Sequence, residues 1–338
     1  MDGMILPAAA WRTRDGLDAL VAALGAARFV GGSVRDTLLG IPVSDLDVAT
    51  PHAPQEVLAR LKRAGIRAVP TGIEHGTVTA VLASGPVEVT TLRRDVSTDG
   101  RRATVAFTDD WREDAARRDF TMNALYADPA SGTIFDYFDG LADLQARHVR
   151  FIGDPLQRIA EDHLRILRFF RFLARFGDVP DPAALDACTV RAKDLMALSR
   201  ERIRDELVKL LVAGDAVSVA ALLLRHGIFA PVLPEVDEAG IALLARTASR
   251  EAEAGVAPDP LRRLAALLHP DPQAADAIGA RLKLSNAERK RLVGAVTPLD
   301  TSAPRALGYR IGVAAAVDRL LLQGDDAAEI PEAVQKLK

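Results

Sequence analysis

The chain has 338 residues, a formal net charge of −3, 49% hydrophobic and 26% charged residues, a balance typical of a folded protein with room for two or three domains. No apolar run approaches the roughly 18–20 residues of a membrane helix, Met1-Asp2-Gly3-Met4 does not open a basic-then-apolar leader, and the lone Cys188 excludes an internal disulfide and a cysteine zinc cluster. A cytoplasmic protein is expected, and its small negative charge does not by itself mark a nucleic-acid binder.

The first part reads as alternating α/β. A short apolar strand ending at Val30 enters a Gly31-Gly32-Ser33 turn, and a helix over Val34–Leu39 is closed by Gly40. Asp45–Ala49 reads as a strand, in which residues i and i+2 share a face, so Asp45 and Asp47 aim side by side. Two ionised carboxylates this close repel unless a cation sits between them, and hard oxygen ligands favour Mg²⁺. The glycines let backbone N–H groups approach phosphate oxygens, and Arg35, at the opening of the helix, favours a triphosphate. Phosphate cradle and metal carboxylates together point to nucleotidyl transfer.

A helix from Pro54 to Ala64 follows, with Gly65 past its end. Gly76–Leu82 and Val87–Arg93 are β-rich runs around an Ala83-Ser84-Gly85-Pro86 hairpin turn. Glu88 alternates away from Val87 and Val89, as a third metal carboxylate or as an exposed edge residue. Asp95–Asp110 is polar and weakly periodic and reads as a mobile loop. Trp111–Arg117 reads as a helix, and Met122–Ala127 with Thr133–Tyr137 as a second hairpin around Ser131-Gly132. Between them, Arg117-Arg118-Asp119-Phe120-Thr121-Met122-Asn123 offers donors for phosphate and partners for sugar hydroxyls.

Turn chemistry at Asp139-Gly140 and Gly153-Asp154-Pro155 marks a boundary, after which the pattern is helical. Pro155–Phe176 reads as one long helix, followed by Glu201–Val212, Ala216–His226, Gly240–Ala254, Pro260–Leu268 and Ala287–Val296. From Arg147 to Arg175 there are seven arginines against three acids, a cationic wall or a solvated face. On a continuous helix Arg158, Asp162, Arg165 and Arg168 share one face. Asp162 and Arg165 are then an i,i+3 ion pair, or an edge that accepts from an exocyclic amine and donates beside it. Cytosine and adenine present that edge; guanine and uracil carry a carbonyl there.

These strings, in this order, resemble the class II tRNA nucleotidyltransferase family, the CCA-adding enzymes and bacterial poly(A) polymerases, over roughly residues 25–210. The resemblance implies an α/β, polymerase β-like nucleotidyltransferase head (1–145), a helical neck (146–215) and a helical, RNA-binding body and tail (216–338). It puts Gly31, Gly32, Ser33 and Arg35 on the triphosphate and Asp45 and Asp47 on catalytic Mg²⁺. Arg118, Asp119 and Asn123 match the motif for sugar and triphosphate, Asp139–Leu144 the head–neck hinge, and Asp162, Arg165, Arg168 and Arg171 the amino-acid template that selects C and A. Ser199–Ile203 resembles the following neck helix. The expected partners are the tRNA 3′ end, CTP and ATP, with no membrane and no obligate protein partner. The full-length Arg94–Glu113 segment implies that A addition is retained, with the loop as a lever. His163 stands where many relatives have proline. His269-Pro270-Asp271 is the nearest approach to the His-Asp dyad of a phosphohydrolase domain, so that side activity is not expected. A poly(A) polymerase and a catalytically dead RNA-binding module are the competing readings.

Overall fold

Short runs with alternating burial build a mixed sheet, accompanied among the described residues by a two-stranded hairpin and by helices. The computed structural model describes residues 4–98, 103–268, 271–298, 303–324 and 330–337; His269 and Pro270 lie outside them. Two units are defined by their internal packing: Met1–Asp162 with Val179–Ala184, and His163–Asp178 with Leu185–Lys338.

The first unit runs α1 (Leu17–Leu24), β1 (Arg28–Val30), α2 (Gly32–Leu38), β2 (Asp47–Thr50), α3 (Pro54–Arg63), β3 (Arg67–Gly72), β4 (Thr77–Leu82), β5 (Gly85–Thr91), β6 (Arg93–Thr98), β7 (Ala103–Phe107), α4 (Trp111–Ala116), β8 (Leu125–Ala127), β9 (Ile134–Asp136), α5 (Gly140–Gln145) and α6 (Pro155–Glu161). Seven strands form a sheet in the order β3-β4-β5-β2-β1-β8-β9. Within it β2 and β5 pair in parallel, with Asp47 opposite Glu88; the other pairings are antiparallel. In β5, Val87 and Val89 are buried while Glu88 is exposed, the period-2 pattern of a strand with one face on a core. Val30, Ala49, Leu92, Ala115, Ala124, Tyr126 and Ile152 form an apolar cluster against which Trp111 and Phe135 pack.

Four local expectations are corrected. The strand begins at Asp47, so Asp45 lies just before it, although the ladder reaches Leu46, whose carbonyl accepts from Glu88 N at 3.0 Å. The β4–β5 turn is Ala83-Ser84 alone, with Leu82 paired to Gly85. Asp95–Asp110 is not a structureless loop: β6 and β7 pair antiparallel, with an irregularity between Asp95 and Ser97. Val96, Thr98, Thr104 and Val105 supply strand propensity that the surrounding polar residues conceal. Finally, Pro155–Phe176 is two helices. After α6 the backbone at Asp162 is extended (φ −150°, ψ 106°), and a new helix starts at Arg165. Asp favours helix ends because its carboxylate competes for backbone groups. The continuous helix on which Asp162 and Arg165 would stand at i,i+3 is therefore broken, and His163 lies in the interruption rather than inside a helix.

The second unit holds α7 (Arg165–Phe176), α8 (Pro182–Val190, its first residues packed with the first unit), α9 (Arg200–Leu211), α10 (Ala216–Arg225), α11 (Glu238–Glu253), α12 (Pro260–Leu267), α13 (Pro272–Arg281), α14 (Asn286–Val296), α15 (Pro304–Ile311), α16 (Val313–Gln323) and α17 (Ile330–Gln335). Asp-Pro opens α6, α8, α12 and α13: the carboxylate accepts a first-turn N–H and proline takes the position that needs no donor. In the middle of this unit Glu251 accepts from Arg262 (2.6 Å) and Arg263 (2.8 Å), and Asp318 from Arg262 (2.9 Å) and Arg291 (2.8 Å). Both acids are 1% exposed. No helix among the described residues is long and apolar enough to cross a membrane.

Candidate active site

Gly31 follows β1 with φ 70° and ψ −122°, a conformation that side chains with a Cβ avoid. Its N–H donates to Leu125 O (3.1 Å) and its carbonyl accepts from Arg35 N (3.0 Å), which fixes the turn between β8 and α2. A Cβ on Gly31 would sit 3.4 Å from Arg118 Nη1, so the missing side chain leaves the backbone open beside a guanidinium. Gly32 already belongs to α2. Ser33 is fully buried and its hydroxyl donates to Val30 O at 3.2 Å; its side chain shapes the turn.

Arg35 links the two strings that the sequence keeps 80 residues apart. Its Nε donates to Asp36 Oδ1 (2.8 Å) and its Nη1 to Asn123 Oδ1 (2.5 Å), while Asn123 Nδ2 donates to Asp119 Oδ1 (2.9 Å). Asp119 Oδ1 also accepts from Phe120 N (2.8 Å). Arg35, Asn123 and Asp119 are all buried. The row Asp36-Arg35-Asn123-Asp119 thus locks the turn after β1 to the segment before β8.

Asp47 stands in register with Glu88 on the neighbouring strand, with Asp45 two residues before it. Burial first, then the Glu88 and Asp45 carboxylates, push Asp47 up to about 6, against the pull of Arg118. The repulsion that like charges exert on a carboxylate in this way is relieved by a hard divalent cation. Among the described residues no group of three or more His, Cys, Asp or Glu side chains is arranged to hold a metal ion alone. Two carboxylates completed by substrate phosphates and water are a common Mg²⁺ arrangement, so the donor set fits such an ion.

Sequence reasoning missed Asp114, Tyr126 and Glu206. Asp114, 1% exposed, accepts from Arg118 Nη2 (3.2 Å), Arg117 Nε (2.9 Å), Tyr126 OH (2.5 Å) and Arg93 N (3.1 Å). Burial raises its pKa, but Arg118, Arg117, the Tyr126 hydroxyl and the Arg93 N–H outweigh that and hold it at about 2. Burial pushes the Tyr126 hydroxyl well up, keeping it a donor. The four-residue spacing of Asp114 and Arg118 carried a signal; Tyr126, inside an apolar run, carried none.

In the second unit, Arg165 is buried at the start of α7. Arg171 Nε donates to Glu206 Oε2 of α9 at 2.5 Å, and Arg168 Nη1 lies 3.8 Å from Glu206 Oε1. Both guanidiniums lie over the Phe172 ring, at 5.5 Å for Arg168 and 4.6 Å for Arg171. Asp162 closes the first unit, half-buried.

A glycine turn locked to an arginine-bearing segment, beside strands that present carboxylates in register, defines a nucleotidyltransferase head. Residues 27–150 match the family described as "Poly A polymerase head domain", and 180–239 that described as "Probable RNA and SrmB- binding site of polymerase A". The chain belongs to this family of poly(A) polymerases and CCA-adding tRNA nucleotidyltransferases. It is 42% identical over 266 residues to the mouse mitochondrial CCA tRNA nucleotidyltransferase 1, covering 78% of this chain and 60% of the relative. It is 36% identical over 276 residues to the CCA-adding enzyme of Staphylococcus saprophyticus, covering 81% and 65%. The structure of the Bacillus stearothermophilus CCA-adding enzyme in complex with CTP aligns with a TM-score of 0.73 at 28% identity, over 96% of this chain and 82% of that one. The chain spans 44% to 60% of the length of the first curated relatives it matches.

Proposed function

We propose that this chain adds C, C and A to the 3′ end of tRNA from CTP and ATP, without a nucleic-acid template. The observation that carries the reading is the Asp47–Glu88 register beside Asp45, with Arg118 joining Asp47 electrostatically and lying against the Gly31 turn. In the reaction the tRNA 3′-hydroxyl gives up its proton to solvent as its oxygen bonds to the α-phosphorus, and the α–β phosphoanhydride breaks to release pyrophosphate. Asp45 and Asp47 would hold Mg²⁺, which when bound lowers the pKa of the attacking hydroxyl and neutralises charge on the phosphates.

The remaining roles belong to the chain's own groups. Gly31 and Gly32 admit the triphosphate close to the backbone, and Arg118 supplies positive charge where pyrophosphate leaves. Arg35, engaged with Asp36 and Asn123, acts by orienting Asn123 toward the sugar, with Asp119 fixing its amide. Asp162 and Arg165 carry base choice, and Glu206 steadies Arg168 and Arg171 of the same string. The β6–β7 hairpin takes the place of the expected loop as the lever between C and A addition. The cytoplasm, which suits a single unpaired cysteine, is the proposed compartment, and no obligate protein partner is required.

The test uses tRNA transcripts ending at the discriminator base, at C and at CC, incubated with Mg²⁺ and CTP, ATP or both. Two C and then one A, with no further growth, is the expected product. Long A ladders on any RNA would make the chain a poly(A) polymerase, and no extension would leave an RNA-binding module. Asp162→Ala should relax base choice without abolishing transfer; unchanged selectivity would remove Asp162 from that role.

A further inference from the structure

The contacts of Arg118 divide its guanidinium in two. Nε donates to the Tyr126 hydroxyl at 3.2 Å and Nη2 to Asp114 Oδ2 at 3.2 Å. Nη1 lies against Gly31. The Tyr126 hydroxyl accepts from Arg118 and donates its own hydrogen to Asp114 Oδ2 at 2.5 Å. The three groups close a ring, and a planar guanidinium held on two of its nitrogens has one orientation left. Asp114 Oδ1, meanwhile, accepts from Arg93 N, the first residue of β6. One buried carboxylate therefore joins the root of the β6–β7 hairpin to the cation beside the glycine turn.

We infer that Asp114 and Tyr126 are positioning residues that aim Arg118 at the phosphate end of the incoming nucleotide. Each acts through Arg118. The inference rests on the proposed function in taking Arg118 as a phosphate-side ligand. It goes beyond it by assigning the triphosphate's orientation to a carboxylate and a phenol outside both motifs. It also makes a distinction: a phosphate-side defect weakens CTP and ATP equally, because the two share the triphosphate and differ in the base.

Equilibrium binding of CTP, ATP and inorganic tripolyphosphate to the full chain, in Mg²⁺ and without tRNA, tests this on Tyr126→Phe and Asp114→Asn. Tyr126→Phe removes one oxygen from an otherwise unchanged ring, so it folds even if Asp114→Asn does not. The expected result is weakening of all three ligands by one common factor, about tenfold or more for loss of one hydrogen bond to a charged group, with cytidine binding unchanged. In transfer assays the same factor should appear in KM for both nucleotides, with kcat within about twofold. Unaltered tripolyphosphate binding in Tyr126→Phe, or weakening confined to CTP or to ATP, overturns the inference. Should the parent chain bind triphosphates in this pattern yet extend no tRNA, the proposed function fails while the positioning role stands.

Discussion

Asp47 is held in a state that suits a metal ion better than it suits the fold. Half-buried, and facing Glu88 across a parallel ladder, it is raised to about 6 by burial and by neighbouring carboxylates. Asp47→Asn removes that repulsion at nearly constant volume. Nucleotide addition should fall by about 10³-fold or more, whereas tRNA affinity by gel shift stays the same and the melting temperature in EDTA rises; retained turnover would take Asp47 out of the metal site. Asp114 shows the opposite sign. Its folded pKa of about 2 lies below the unfolded value of 3.8, so its contribution is complete above about pH 4 and is lost as pH falls toward 2. That contribution is about 2 kcal/mol at neutral pH. Acid titration of stability should therefore be shallower between pH 4 and 2 in Asp114→Asn than in the parent chain, a difference that denaturant melts at each pH would register.

At the scale of elements, α5 is seated by a contact that tolerates no side chain. A Cβ on Gly140 would meet Thr121 O at 2.3 Å, in the short 3-10 turn Thr121–Asn123 that carries Asn123. Gly140→Ala should cost about 1–3 kcal/mol of stability and raise KM for both nucleotides, because the displaced turn takes Asn123 with it; a normal melting temperature would show that α5 yields freely. How much of this was legible in the sequence depended on the range of the signal. Val87-Glu88-Val89 displays its alternation over three residues, and Pro54 with Gly65 bracket α3, so these elements were read correctly. The break at Asp162 was not, since both flanks are helical and the extended backbone sits at a single residue. Hairpin β6–β7 reads as a loop in the sequence because its strand formers alternate with charged and hydroxyl residues. In the candidate site, the glycines, Asp45 and Asp47 stood out by local chemistry. Asp114 and Tyr126 gained meaning only when folding brought α4 and β8 to the same arginine.

The molecule as a whole combines two kinds of interior. In the sheet-bearing unit the core is apolar and aromatic, with Tyr126 among aliphatic side chains, and the buried charges Arg35, Asp36, Asp114 and Asp119 belong to the site's own networks. The helical unit instead runs a chain of buried charge, Arg263-Glu251-Arg262-Asp318-Arg291, through α11, α12, α14 and α16. Such a network is costly to desolvate and costlier still to break, because removing one member strands its partners. Glu251→Gln should destabilise the helical unit by about 3 kcal/mol or more, read by urea melts followed through hydrogen exchange, with protection in α11 and α12 lost and that in β1, β2 and β5 retained. Equal loss of protection in the strands would mean that the two units melt as one.

The parallel pairing of β2 with β5 constrains heredity as well as chemistry. Side chains change faces at every step along a strand, so shifting the register by one residue would bury the carboxylate of Asp47 and expose Val48. Point changes at most positions of these strands leave that alignment intact, but a single-codon insertion or deletion within either strand does not. Length variation among descendants of this gene should accordingly gather in exposed turns such as Ala83-Ser84, and be absent from 46–50 and 87–91. The reading frame of the sheet, more than the identity of any one of its apolar residues, is what selection has to guard.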